Sequence, residues 1–199
     1  MADRTGIRRF VFREISQADV KSAQARSANA KTGGGARDLR FAHAEVGPVI
    51  EAMLPATRVE KRKRDGRRID ETIHYGDLHY LSDPVVDGAS GEEKTARIDY
   101  EPPTDSRPNM GRIARTNQIP PMNRPPESGK GRVFGMFLEN DRGEVWFHYV
   151  YEQDLRTPGV WHTEVVKTII GCLDNPERRQ SKLAEGYLDM ARRVRYCHL

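Results

Sequence analysis

The segment Gly131–Tyr151, GRVFGMFLENDRGEVWFHYVY, gives the clearest indication of the fold. Two runs rich in valine and aromatic residues, Gly131–Glu139 and Glu144–Tyr151, flank the polar stretch Asn140–Gly143. Such side chains favour extended backbone, and a short polar connection containing glycine is typical of antiparallel hairpins. The segment therefore predicts a β-hairpin in a mainly β protein.

Similar signals on the N-terminal side of this hairpin predict more strands. Asp65-Gly66 is a strong two-residue turn signal, and it joins the predicted strands Thr57–Lys63 and Arg67–Tyr75. Further strands are predicted at Arg9–Ile15, Ala36–Phe41, Asp77–Leu81 and Thr95–Tyr100. About seven strands at short spacing indicate a compact open β-barrel with helices at its periphery.

Three segments have a helical pattern of apolar residues. Glu45–Leu54 predicts a short helix packed on the sheet, and Thr163–Ile170 allows a strand but favours a helix capped at Thr163. Asn175-Pro176 is typical of a helix start. The apolar residues that follow it have 4-3-1-3 spacing: Leu183, Tyr187, Met190, Ala191 and Val194. We therefore expect a barrel domain over residues 1–172 and a C-terminal helical extension over 173–199.

Composition narrows the setting in which the protein works. The net charge is +4 with a pI near 9.1, so the chain is mildly basic. No apolar run approaches the roughly 18 residues that span a bilayer, and the charged Met1–Phe10 lacks the apolar core of a secretion signal. Cys172 and Cys197 form neither a disulfide framework nor a metal cluster on sequence grounds. The expectation is a cytoplasmic protein with two free thiols, no cofactor and no membrane association.

Basic residues concentrate in three places, Arg26–Arg40, Arg58–Arg68 and Arg107–Arg132. The first includes three consecutive glycines, whose lack of a Cβ lets the backbone approach a surface closely. The third includes the proline-free stretch Asn109–Arg115, which predicts a projecting arm stiffened by flanking prolines. Cations that hold phosphates, beside polar side chains that read base edges, are what duplex DNA requires. The alternative for each cluster is a solvated loop or hairpin tip.

Evidence for catalysis in the sequence is weaker. Asp87, Glu92 and Lys94 have the residue types of a magnesium-dependent nuclease, but they lie in a glycine- and serine-containing loop. His74 and His79 lack a third ligand at convincing spacing, which favours ordinary surface histidines. The nucleotide-binding and nucleophile motifs of common enzyme classes do not occur. No catalytic or metal-binding residue is assigned, and whether the chain is an enzyme stays open.

Several of these stretches follow one another in the order found in a known family. Ser27-Ala28-Asn29 precedes Thr32-Gly33-Gly34-Gly35, a strand, and the helical stretch Val46–Pro55 that ends in Met-Leu-Pro. A second block comprises Ala96–Tyr100 and Asn109–Arg115. In this order the chain resembles the N-terminal effector domain of the EcoRII-type restriction endonucleases over roughly Phe10–Gly171, with large differences in length.

The resemblance implies a seven-stranded DNA-binding pseudobarrel of the plant auxin-response-factor type, which grips the major groove with two arms. Ser27–Gly35 would belong to the N-arm and Asn109–Arg115 to the C-arm. The family's Glu-Lys pair is Met110-Gly111 here, so base specificity does not transfer. The candidate DNA-binding residues are Arg26, Ser27, Asn29, Lys31, Thr32, Gly34, Arg37, Arg107, Asn109, Arg112, Arg115 and Asn117.

The resulting functional hypothesis is sequence-specific binding of double-stranded DNA, as the target-recognition part of a restriction or defence system. The separate catalytic domain of those enzymes has no counterpart in this chain, so a separate nuclease subunit or a homodimer are the partner states left open. Two alternatives remain: a small magnesium-dependent endonuclease that uses Asp87, Glu92 and Lys94, and a non-catalytic protein-interaction module.

Overall fold

The computed structural model describes residues 6–16, 19, 38–64, 67–82, 91–105, 108–114, 129–177 and 182–198. Within these ranges the strands are β1 Ile7–Glu14, β2 Leu39–Ala42, β3 Ala56–Arg64, β4 Arg67–Leu81, β5 Glu93–Glu101, β6 Met110–Ala114, β7 Val133–Asn140, β8 Val145–Tyr151, β9 Glu185–Asp189 and β10 Val194–Cys197. The helices are α1 His43–Met53, α2 Glu152–Arg156 and α3 Thr163–Leu173. In the described part of the chain, no helix has the length and apolar character needed to cross a membrane.

All ten strands belong to one sheet that curls strongly into a half-barrel. Its order is β10-β9-β1-β7-β8-β4-β5-β6-β2, and β3 pairs with β4 beside this path. The pairs are antiparallel except for a short parallel contact between β4 and β8. The prediction of a mainly β, open barrel-like fold is thus confirmed, whereas the predicted strand number of seven is wrong.

The 15-residue strand β4 has different partners along its length. Its residues 67–75 pair with β3, and its residues 74–81 pair with β5. Among the described strands, only β3 pairs with residues 67–73 of β4. We call β3 together with residues 67–73 of β4 the basic ribbon, a two-stranded antiparallel extension of the sheet. The predicted break between strands at Gly76 is wrong, since β4 runs through it.

Two apolar clusters cover the two faces of the sheet. On the inner face, α1 packs the side chains of Val46, Val49, Ile50 and Met53 into a cluster that includes Ile98, Tyr100 and Phe137. On the outer face, α3 packs Val165 and Ile169 against Phe10, Phe12 and Phe134. Both helices were predicted, and the apolar positions that predicted α1 are buried. The predicted cap of α3 is wrong by one residue, because the His162 side chain accepts the bond from the Glu164 N–H.

The predicted C-terminal helix is wrong in the described residues 182–198. This segment forms β9, which pairs with β1, and β10, which pairs with β9. The apparent helix start at Asn175 is a local turn, in which the Asn175 side chain accepts a bond from the Glu177 N–H at 2.9 Å. Arg193, with φ of 56°, lies in the turn that reverses the chain between the two strands. Pairing with β1, far away in sequence, outweighed the local helical spacing.

The prediction of two free thiols is also wrong. Cys172 of α3 and Cys197 of β10 form a disulfide, and their Cα atoms lie 5.4 Å apart. The two residues are 25 positions apart in the sequence, and only the packing of α3 against the outer face of the sheet brings them together. The argument from free thiols to a reducing compartment therefore no longer holds.

Candidate nucleic-acid interface

The basic ribbon has two chemically different faces, because side chains alternate along a strand. The register pairs Thr57 with His74, Val59 with Thr72 and Lys61 with Asp70, so each pair lies on the same side. Six side chains on this side are exposed to solvent: Thr57, Val59, Lys61, Arg68, Asp70 and Thr72. Val59, an apolar residue, is 64% exposed. We call this side the exposed face.

The other side of the ribbon holds arginines in bidentate ion pairs, and we call it the ion-pair face. The Arg58 guanidinium donates to both carboxylate oxygens of Asp99, each at 2.8 Å. The Arg62 guanidinium donates to both oxygens of Glu101, at 2.9 and 2.8 Å. Glu60 lies between the two arginines and accepts from both. These contacts fasten β3 to β5 although the two strands do not pair with each other.

Glu101 extends the network from the ribbon towards β2. Its carboxylate also accepts from the Arg112 Nε at 2.6 Å, and Arg112 in turn bonds Asp38. The side chain of Glu101 is 6% exposed, so two arginines meet on a buried acid. The result is a continuous chain of contacts from Arg62 through Glu101 and Arg112 to Asp38. In the sequence, Asp38 lies three positions after the glycines Gly33–Gly35.

The pKa shifts in this network favour the charged forms. Burial acts to raise the pKa of Glu101, but the bonds from Arg62 and Arg112 leave that pKa below its ordinary value. Bonds from Arg58 and Arg62 lower the pKa of Glu60. The pKa of Arg58 is raised, chiefly by its bond to Asp99, and that of Arg62 chiefly by its bond to Glu101. At neutral pH the acids and arginines of the ion-pair face are therefore ionised and bonded to each other.

The arginines of this face are engaged by acids. Three arginines, Arg58, Arg62 and Arg112, contact five acidic side chains, Asp38, Glu60, Glu71, Asp99 and Glu101. A polyanion that approached this face would meet guanidinium groups already bonded to carboxylates. The exposed cations Lys61 and Arg68 lie on the other face.

Two of the predicted DNA-binding residues lie in the described part of the chain. Asn109 is exposed immediately before β6, and Arg112 lies within β6. The prediction of a projecting arm is wrong for Met110–Ala114, because this strand pairs with β5 on one side and β2 on the other. Gly111 lies so close to the Tyr100 hydroxyl that a Cβ would overlap it. The stretch is an interior strand.

The other predicted contacts lie outside the described residues. These are Arg26, Ser27, Asn29, Lys31, Thr32, Gly34, Arg37, Arg107, Arg115 and Asn117. Their assignment to DNA stays a prediction.

The residues considered for catalysis are described only in part. Asp87 lies outside the described residues, Glu92 is exposed, and Lys94 lies in β5. His74 bonds the Leu54 carbonyl at 3.1 Å, and His79 lies 3.0 Å from a Glu93 carboxylate oxygen. In the portion that the structure describes, no group of three or more His, Cys, Asp or Glu side chains could hold a metal ion.

Sequence reasoning identified the ribbon but missed its division into two faces. Part of this division could be predicted from the sequence. The Asp65-Gly66 turn fixes which residues lie opposite each other. Because side chains alternate between the two faces of a strand, Lys61 and Arg62 then lie on different faces. The acids Asp99 and Glu101 that occupy the arginines come from another strand. Only the pairing of β4 with β5 places them there.

Comparison with known proteins finds neither a protein-family model nor a curated protein that matches this chain. The interpretation of the site therefore depends on its own residues and geometry.

Proposed function

We propose that this protein binds double-stranded DNA, with the basic ribbon as its main contact. The observation that supports the proposal is a two-stranded antiparallel ribbon beside the main path of the sheet, with a tip rich in arginine and lysine. The major groove, about 12 Å wide, admits a two-stranded ribbon, and phosphates on both edges attract cations.

The ribbon carries exposed cations besides the arginines of the ion-pair face. The stretch from Arg58 to Arg68 contains seven basic residues, and the contacts with acids that the structure describes there are those of Arg58 and Arg62. The other basic residues of the stretch are Lys61, Lys63, Arg64, Arg67 and Arg68. Lys61 and Arg68 are exposed on the same face. This is a dense positive charge on a narrow element, whereas the chain as a whole carries only +4.

The segment Ser27–Gly35, which ends in three glycines, is proposed as the second contact with DNA. Lys31 supplies a cation and Asn29 and Thr32 supply polar groups, beside glycines that permit close approach of the backbone. Arg112 has a different role in this proposal. It bonds both Glu101 and Asp38, and Asp38 follows that segment in the sequence. Sequence-specific recognition and a place in a restriction or defence system remain part of the proposal through the family resemblance.

Fluorescence anisotropy of a short labelled duplex of random sequence tests the function. We expect saturable binding at micromolar protein in low salt, and enrichment of a preferred sequence when a random duplex library is selected. A matched single strand should bind more weakly, because few aromatic side chains interleave with the basic residues. Undetectable binding to any duplex at micromolar protein would contradict the proposal and favour a protein-interaction module.

A further inference from the structure

The two faces of the basic ribbon differ in the state of their charged groups, and this difference indicates which face meets DNA. The geometry points to the exposed face as the surface that enters the major groove, with Val59 and the flanking threonines against thymine methyl groups. Lys61 and Arg68 would then contact the phosphates. This inference rests on the proposed function and adds the docking surface and a base preference to it.

The ion-pair face is poorly suited to contact DNA. Arg58 and Arg62 each direct two nitrogens at one carboxylate, so their fork-shaped donors are engaged. A phosphate could recruit either arginine only by displacing a carboxylate whose own side chain is 5–6% exposed. A buried acid that loses one of its arginine contacts carries a desolvation cost.

The exposed face has the opposite character. Its six side chains are all solvent-exposed, and Lys61, Arg68 and Asp70 are the charged ones. Val59 lies directly across from Thr72, so their side chains are cross-strand neighbours on this face. Val59 is 64% exposed, so its methyl groups are accessible to a partner.

The chemistry of the major groove complements this face. Thymine presents a C5 methyl group there, which apolar side chains contact, and cytosine presents an amino group that Asp accepts from. Val59 with Thr57 and Thr72 supplies methyl groups, and Asp70 supplies a carboxylate. Two strands about 4.8 Å apart fit within the groove width of about 12 Å. Lys61 on β3 and Arg68 on β4 both lie between the Val59–Thr72 pair and the tip of the ribbon.

Charge reversal tests the orientation. The double variant Lys61→Glu/Arg68→Glu is compared with Lys167→Glu, an exposed lysine on α3, by anisotropy on the same duplex. We expect roughly ten-fold or greater loss of affinity for the ribbon variant and no change for Lys167→Glu, since phosphate contacts dominate affinity. Thermal unfolding checks that both proteins fold. The glutamine variants Lys61→Gln and Arg68→Gln give the same comparison with smaller changes.

Replacement of thymine by deoxyuridine tests the base contact. Deoxyuridine lacks only the C5 methyl group, so wild-type protein should bind a selected or A·T-rich duplex several-fold more tightly than its deoxyuridine counterpart. Val59→Ser should bring that ratio close to one with little effect on affinity for the deoxyuridine duplex.

The outcomes separate this inference from the function beneath it. If wild-type protein binds duplexes and the ribbon variants bind equally well, the orientation is wrong and the DNA contact lies elsewhere. If the thymine and deoxyuridine duplexes bind wild-type protein alike, the methyl contact is wrong. If wild-type protein binds no duplex, the proposed function itself fails.

Discussion

At the scale of single residues, Glu101 is the point on which the ribbon and the interior strand β6 converge. It is buried and accepts bonds from Arg62 and Arg112. Removal of either arginine takes a bonded cation from a buried carboxylate, and such losses are costly because the remaining charge stays out of water. The two arginines are therefore assigned to stability, although the sequence alone makes them look like DNA contacts.

Arg112→Ala tests this assignment. We expect a loss of roughly 1–3 kcal/mol in the free energy of unfolding, measured by urea titration. Arg40→Ala is the matched control, since Arg40 is exposed and directly opposite Arg112 on β2. It should change stability by less than about 0.5 kcal/mol. A variant of Arg112 with unchanged stability but reduced DNA affinity would show instead that Arg112 is a DNA contact.

His148 predicts a pH dependence of stability. It is half-buried between Trp146 and Trp161, with ring centroids 6.5 and 5.5 Å away, and burial lowers its pKa to about 4. The unfolded chain takes up a proton near pH 6.5, whereas the folded chain does so only near its lowered pKa. Stability is therefore retained above pH 6.5 and lost progressively as the pH falls towards 4.

The expected loss from this histidine at pH 5 is about 2 kcal/mol relative to pH 7. It is measured by urea unfolding at both pH values, with His148→Gln as the comparison because glutamine does not titrate. Subtraction of the two proteins removes the contributions of the carboxylates. An equal pH dependence in both proteins would show that His148 takes up its proton equally well in the folded state.

At the scale of elements, the disulfide joins the edge strand β10 to α3. The chain-entropy estimate for a loop of this size, with a sequence separation of 25, is about 3 kcal/mol of stability. Wild-type protein should lose roughly that amount when dithiothreitol is added to a urea titration. Cys197→Ser should resemble the reduced wild type and should not respond to dithiothreitol. Two titratable thiols in unreduced native protein would contradict the bond.

Elements whose signals are local could be predicted from the sequence. The β7–β8 hairpin and the ribbon each have their turn residues and β-formers within about 20 positions, so neighbouring residues specify the pairing. The apolar face of α1 was likewise readable from helical periodicity. The segment from Leu183 to Val194 satisfied the same periodicity test and still forms strands. Its decisive interaction is with β1 at the other end of the chain.

At the scale of the whole molecule, the sheet order was beyond the reach of the sequence. β1 lies between β7 and β9, and β4 between β8 and β5, so four of the nine described pairings join strands that are not consecutive in the chain. The candidate site shares this limit. The sequence showed where positive charge accumulates, but the pairing of β4, β5 and β6 decides which arginines meet acids. Which basic side chains stay exposed could be determined only once the pairing of the strands was known.

The density of positive charge on the ribbon predicts the salt dependence of DNA binding. A chain with +4 spread evenly would release few counterions, whereas Lys61, Lys63, Arg64, Arg67 and Arg68 concentrate five cations in one short stretch, and each would displace one counterion. The logarithm of affinity should then fall with the logarithm of salt with a slope of about −4.5. A four-fold rise in salt should weaken binding by roughly two orders of magnitude or more.

Lys61→Gln/Arg68→Gln should make the slope shallower by about 2, since each lost phosphate contact removes about 0.9. A shallow slope in wild-type protein, or an unchanged slope in the variant, would show that the ribbon is not the surface that neutralises the phosphates.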